Sequence, residues 1–102
     1  MKVELTYKPP NGKLLRIFLE YDEKNKLIRN IQITGDFFIY PEEGIEILEK
    51  NLIDTLLVEE NLTDRISSII NSNSLTIIGF TVEDLVECIL RGVKIDGEMA
   101  ST

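Results

Sequence analysis

Within the first forty residues, apolar side chains recur at every second position in three successive runs, and nothing else in the chain constrains its fold so tightly. Val3, Leu5 and Tyr7 alternate with Glu4 and Thr6. Leu15, Ile17, Leu19 and Tyr21 alternate with Arg16, Glu20 and Asp22. Ile31, Ile33, Phe37 and Ile39 share a face opposite Asn30, Gln32, Thr34 and Asp36. A period of two marks a strand with one buried face. Pro9-Pro10-Asn11-Gly12 and residues 23–26 supply turns between the runs. Strands are therefore expected over residues 2–8, 13–22 and 27–40, and turns this short make them an antiparallel meander with one face left for helices to cover. Gly35 interrupts the third run, as a glycine does at a bulge or a close backbone approach.

Beyond residue 40 the period changes. Pro41 suits a first helical position, where its missing N–H costs nothing, and Glu42 and Glu43 place negative charge at the positive end of the helix dipole. A first helix is expected from Pro41 to about Ile53, with Ile45, Leu48 and Leu52 as its apolar stripe, extended by Leu56 if the helix runs on. A second should start at Asn61 or Thr63, carry Ile66, Ile69 and Ile70, and stop at residues 71–74. Residues 75–78 are a short apolar run whose state the pattern leaves open. Thr81 is the N-cap of a third helix, with Asp84 three residues on, Leu85, Ile89 and Leu90 facing the core, and Gly92 as its stop. Residues 95–102 should fray. The expected fold class is α+β: a three-stranded antiparallel meander with about three helices on one face.

A chain of 102 residues buries roughly two-thirds of its unfolded surface, enough for one core, so residues 1–102 are read as a single domain. With 43% hydrophobic and 28% charged residues the composition is that of an ordinary globular domain, and no apolar run approaches the roughly 18 residues needed to span a bilayer. No signal-peptide pattern opens the sequence, and a single cysteine, Cys88, cannot form an internal disulfide. The expected location is the cytoplasm. The net charge of −7 divides into +3 over residues 1–30 and −10 over the rest. Such an acidic field disfavours nucleic acid. Lys13, Arg16, Lys24, Lys26 and Arg29 lie on or beside one hairpin, as a solvated face or a docking patch.

Catalytic constellations are missing from the sequence. There are no histidines, the commonest general base and metal ligand at neutral pH. The lone thiol and scattered carboxylates lack zinc-ligand spacing, and no two of the six glycines are adjacent or spaced one apart, so no phosphate cradle is offered. Cys88 falls mid-helix near the apolar stripe, where a buried structural thiol is the ordinary outcome. Asp36 is expected to accept backbone hydrogen bonds at the strand-to-helix corner. Phe37 reads as core. Phe18 and Phe38 fall on the polar sheet face, and exposing a Phe forgoes roughly 1.5–3 kcal/mol of burial. Either a bulge at Gly35 turns Phe38 inward or a partner covers it.

The run Thr34-Gly35-Asp36-Phe37-Phe38, two further residues, then Pro41-Glu42 resembles the start of the C-terminal accessory domain of lipoate-protein ligases. The similarity continues through Glu49 and Leu52, which stand where that family's helix has Leu-Glu-x-x-Leu, and through residues 79–84, which look like its last helix start. It spans roughly residues 10–92. The resemblance implies a fold similar to the sulfur-acceptor and iron-sulfur scaffold families. It also implies a stand-alone, non-catalytic accessory subunit needed by a catalytic large subunit to activate lipoate with ATP to lipoyl-AMP, before transfer to a lysine of a lipoyl domain. Partners would be that large subunit and, through the complex, a transient lipoyl domain, with no nucleic acid and no membrane. Lipoate and ATP would sit on the large subunit; this chain would bind no cofactor or metal and carry no catalytic residue. The implied contact residues are Arg16, Phe18, Gly35, Asp36, Phe38, Pro41 and Glu42. Two other readings stay open: a sulfur-relay or iron-sulfur scaffold protein using Cys88, and a plain protein-binding module.

Overall fold

The computed structural model describes the backbone of residues 1–100 and the side chains of residues 1–94. Its elements are β1 (Lys2–Tyr7), β2 (Leu15–Asp22), β3 (Leu27–Gly35), β4 (Phe38–Tyr40), α1 (Gly44–Asn51), α2 (Glu59–Ser72), β5 (Thr76–Ile78) and α3 (Val82–Ala100). β1, β2 and β3 form the antiparallel meander, with β2 in the centre. The alternation read from the sequence is realised there: Leu15, Ile17, Leu19 and Tyr21 of β2 are all buried, and Arg16 between them is exposed. α3 packs on β1 and β2, α1 packs on β3, and α2 packs against α1 and α3. The core joins the inward residues of β2 and β3 to Leu48 and Leu52 of α1, Leu62, Ile66 and Ile69 of α2, and Leu85, Cys88 and Ile89 of α3. This is the expected α+β fold with helices on one face.

The third run does not stay one strand. β3 ends at Gly35, and residues 38–40 leave the meander to pair antiparallel with β5, which is also the state of the ambiguous run after Leu75. Of the two meanings read for Gly35, the close backbone approach holds there, against the Leu14 carbonyl, and the bulge lies elsewhere. The β2–β3 register slips between Glu20 and Tyr21, skipping Arg29. The Arg29 side chain then bridges Asp22 at 3.2 Å and Asp54 at 2.9 Å. Arg29, Lys24 and Lys26 thus belong to the far end of the hairpin, while Lys13 and Arg16 lie at its near end, so the five basic residues do not form one patch.

The helix ends differ from expectation for local reasons. Pro41 is not the first helical residue: the Tyr40–Pro41 peptide is cis, the Pro41 carbonyl accepts the Gly44 N–H at 2.8 Å in a turn, and α1 begins three residues late and stops at Asn51. α2 starts at Glu59, ahead of Asn61 and Thr63, with no side-chain cap. Glu59 and Glu60 in its first turn supply the dipole stabilisation that a capping side chain would otherwise share. α3 continues through Gly92. That glycine is buried and faces Val3 and Ile17, so packing of the helix on the sheet overrides the tendency of glycine to end it. The tail expected to fray, residues 95–102, lies outside the residues whose side chains are described.

The start of α3 is as read. The Thr81 N–H donates to Asp84 Oδ2 at 2.9 Å and the Asp84 N–H donates to Thr81 Oγ1 at 3.1 Å, a reciprocal capping box. Thr81→Ala removes one of these bonds and leaves an orphan donor in the first turn. It should cost about 1 kcal/mol of stability, measured by urea unfolding.

Candidate functional site

The two-residue interval between β3 and β4 sets the geometry of the site. Gly35 has φ of +150°, and a Cβ there would collide with the Leu14 carbonyl oxygen. Gly79, just after β5, has φ of +120°, and a Cβ there would lie 2.9 Å from Phe37 Cβ. Only glycine enters such conformations at so little cost. Between them the β4–β5 ribbon is tied to the loop that precedes β2. The Asp36 N–H donates to the Leu14 carbonyl at 3.0 Å, and the Lys13 N–H donates to the Gly79 carbonyl at 2.6 Å. Beneath the ribbon, half-buried Phe37 meets buried Phe80 edge-to-face, with ring centres 4.9 Å apart.

Alternation within the ribbon then decides its two faces. Ile39 and Ile77, directly paired, point inward and are half-buried. Phe38 pairs with Ile78 and Tyr40 with Thr76, and these point outward. Phe38 is 66% exposed, Tyr40 58% and Ile78 56%. Three large apolar side chains are thus exposed on one small sheet face, with Phe38 and Ile78 adjacent, an arrangement common at contact surfaces.

The residues singled out in the sequence fall into three places. Arg16 is exposed and Phe18 half-buried on the helix-free face of β2, where Phe18 lies between Glu4 and Gln32. Gly35 and Asp36 form the corner. Phe38 is on the outer ribbon face, and exposed Pro41 and Glu42 follow in the turn into α1. No bulge turns Phe38 inward. Asp36 also departs from expectation: its carboxylate accepts no hydrogen bond among the described residues, and the corner is held by its N–H and by Gly35. Tyr40 and Ile78 were missed. The parity of Tyr40 with Phe38 was the available signal, but it needed the pairing with β5 to count. Glu49, in the helix stretch that carried the resemblance, accepts the Ile33 N–H through Oε2 at 2.7 Å and so covers the outer edge of β3.

The one cysteine lies away from this surface. Cys88 is fully buried, and burial, opposed by Arg91 and aided by Glu87, pushes its thiol up to about 12. It is a protonated core side chain at neutral pH. The sulfur-relay reading required an accessible thiol, which this placement denies. A thiol reagent should therefore label Cys88 only as fast as the protein opens, and labelling at the rate of an exposed thiol would restore that reading. Among the described residues no cluster of three His, Cys, Asp or Glu side chains could hold a metal ion. Nor is any helix there long and apolar enough to cross a membrane.

Residues 15–89 match the family model described as bacterial lipoate protein ligase C-terminus. The chain belongs to this lipoate protein ligase C-terminal family. A chain in the structure of an archaeal lipoylation system, a bi-partite lipoate protein ligase and its E2 lipoyl domain from Thermoplasma acidophilum, superposes with a TM-score of 0.72 at 30% identity. The match covers 87% of this chain and 94% of that one. No curated protein matches. The matched family stretch takes in the Gly35 corner, the ribbon and the capping box of α3, and begins at the first residue of β2.

Proposed function

We propose that this lipoate protein ligase C-terminal domain acts as the non-catalytic accessory subunit of a two-chain ligase. The catalytic large subunit holds lipoate and ATP and requires this chain to form lipoyl-AMP before the lipoyl group passes to a lysine of a lipoyl domain. The observation that carries the reading is the placement of exposed Phe38 and Tyr40 on the segment where the family motif stands, with exposed Ile78 paired beside Phe38. A chain with a buried thiol and no histidine has little chemistry of its own to offer, and a contact surface beside a rigid corner suits a subunit that orders a partner's active site. The similarity to a chain of a bi-partite ligase supports a division of the activity between two polypeptides.

Lipoate-dependent pyrophosphate exchange by the large subunit, measured with and without this protein, tests the reading. Exchange that rises on addition, together with co-elution on a sizing column, is the expected result. Equal rates and separate elution would end it.

A further inference from the structure

The two edges of the meander are treated differently. Along β3 and just before it, four outward groups are occupied: Glu49 takes the Ile33 N–H, the Thr55 carbonyl takes the Ile28 N–H at 3.0 Å, the Ile28 carbonyl takes the Asp54 N–H at 2.8 Å, and the Lys26 carbonyl takes the Leu57 N–H at 2.8 Å. Along β1 they are not. Met1 and Tyr21 exchange two hydrogen bonds, the Met1 amine to the Tyr21 carbonyl at 3.0 Å and the Tyr21 N–H to the Met1 carbonyl at 2.9 Å. Antiparallel pairs alternate from there, so Val3, Leu5 and Tyr7 turn their main-chain groups toward β2, and Lys2, Glu4 and Thr6 turn theirs away. No hydrogen bond among the described residues reaches those outer groups. An open strand edge is a template for one more strand.

Beside this edge, on the helix side, an open groove of about 600 Å³ runs between β1 and α3, lined by Leu5, Thr6, Tyr7, Glu87, Leu90, Arg91 and Lys94. The Arg91 guanidinium lies 4.5 Å over the Tyr7 ring, and its Nε donates to Glu87 at 2.8 Å. Only four Lys or Arg occur after residue 30, and two of them, Arg91 and Lys94, are here. Glu87 is engaged by Arg91, and the Lys2 and Glu4 side chains both point to the other face of the sheet. The described lining thus carries one positive charge in excess, in a half-apolar trough on an acidic protein, and suits an extended segment bearing a carboxylate. A second copy fits poorly: pairing the outward residues Lys2, Glu4 and Thr6 of two copies antiparallel sets Glu4 opposite Glu4, between molecules that each carry −7.

We infer that the β1 edge takes an extended, carboxylate-bearing segment of the catalytic subunit as a fourth strand of the sheet, its main chain on Lys2, Glu4 and Thr6 and its carboxylate on Arg91 and Lys94. This rests on the accessory-subunit reading. β1 lies outside residues 15–89, so the edge is a second contact beyond the stretch that the family model matches. Two contacts on one partner multiply rather than add.

Amide hydrogen exchange of this protein, alone and with the catalytic subunit, reads the strand directly. The amides of Glu4 and Thr6 should slow by about tenfold or more in the complex, while that of Leu5, already bonded to β2, changes less. Glu4→Pro removes an outward N–H along with the Glu4 carboxylate, and Arg91→Glu leaves the backbone untouched while giving up the Glu87 bridge; each should weaken the complex by about tenfold, with Glu4→Gln and the unfolding midpoint of each variant as controls. A complex that forms while Glu4 and Thr6 exchange as in the free protein, and that ignores both substitutions, overturns the fourth strand and leaves the accessory reading standing. Absence of any complex overturns both. Protection that appears without the catalytic subunit and grows with protein concentration assigns the edge to a second copy and overturns the proposed occupant.

Discussion

Gly35→Ala is expected to destabilise the protein by about 3 kcal/mol, the largest effect of any single methyl group added at the site. Two penalties act together. A residue with a Cβ is strained at φ of +150°, and the added methyl would collide with the Leu14 carbonyl oxygen. That oxygen is not free to retreat, because it accepts the Asp36 N–H, and Leu15 immediately after it is a fully buried core residue paired with Gly35 itself. Relief therefore means breaking the corner or shifting β2. Urea unfolding of the wild type and variant gives the difference directly, provided the denaturant slopes agree. A loss under about 0.5 kcal/mol would show that the corner adapts and that Gly35 is dispensable.

Phe38→Ser combined with Ile78→Ser should weaken the complex with the catalytic subunit by about a hundredfold while leaving the free protein as stable as before. The two effects separate because the side chains are 66% and 56% exposed and give the isolated fold little of the burial energy a core residue would. Within a complex the same side chains would be desolvated next to each other, which is how a few aromatic and aliphatic residues come to dominate an interface. Titration calorimetry of the double variant against the large subunit, alongside its unfolding curve, distinguishes the outcomes. Unchanged affinity removes the ribbon from the interface. Lost stability would instead assign Phe38 and Ile78 to the fold.

How far the sequence disclosed this molecule depended on the length of each signal. The meander was legible because Leu15, Ile17, Leu19 and Tyr21 repeat the period four times and every one of them is buried. The capping box at Thr81 and Asp84 was legible because both partners lie within four residues. The ribbon was not. β4 and β5 are three residues each and meet across a separation of more than thirty-five residues, so neither carries enough alternation to reveal a pairing. Phe38 could be marked as out of place, yet Tyr40 and Ile78, which make it a surface rather than an anomaly, could not. The end of α3 was misread for the opposite reason: a strong local stop signal at Gly92 lost to packing against Val3 and Ile17, which no local pattern contains.

The bonds from Lys13 and Leu14 to the ribbon are made entirely by peptide groups. Any residue except proline can supply the donor at position 13, and any residue at all the acceptor at position 14. The linkage between the ribbon and its corner on one side and the central strand on the other is therefore buffered against most substitutions in the loop itself. Relatives can drift freely in the side chains of this loop while keeping the same mechanical joint, and a search for it among shared letters would pass over the place where the ribbon is fastened.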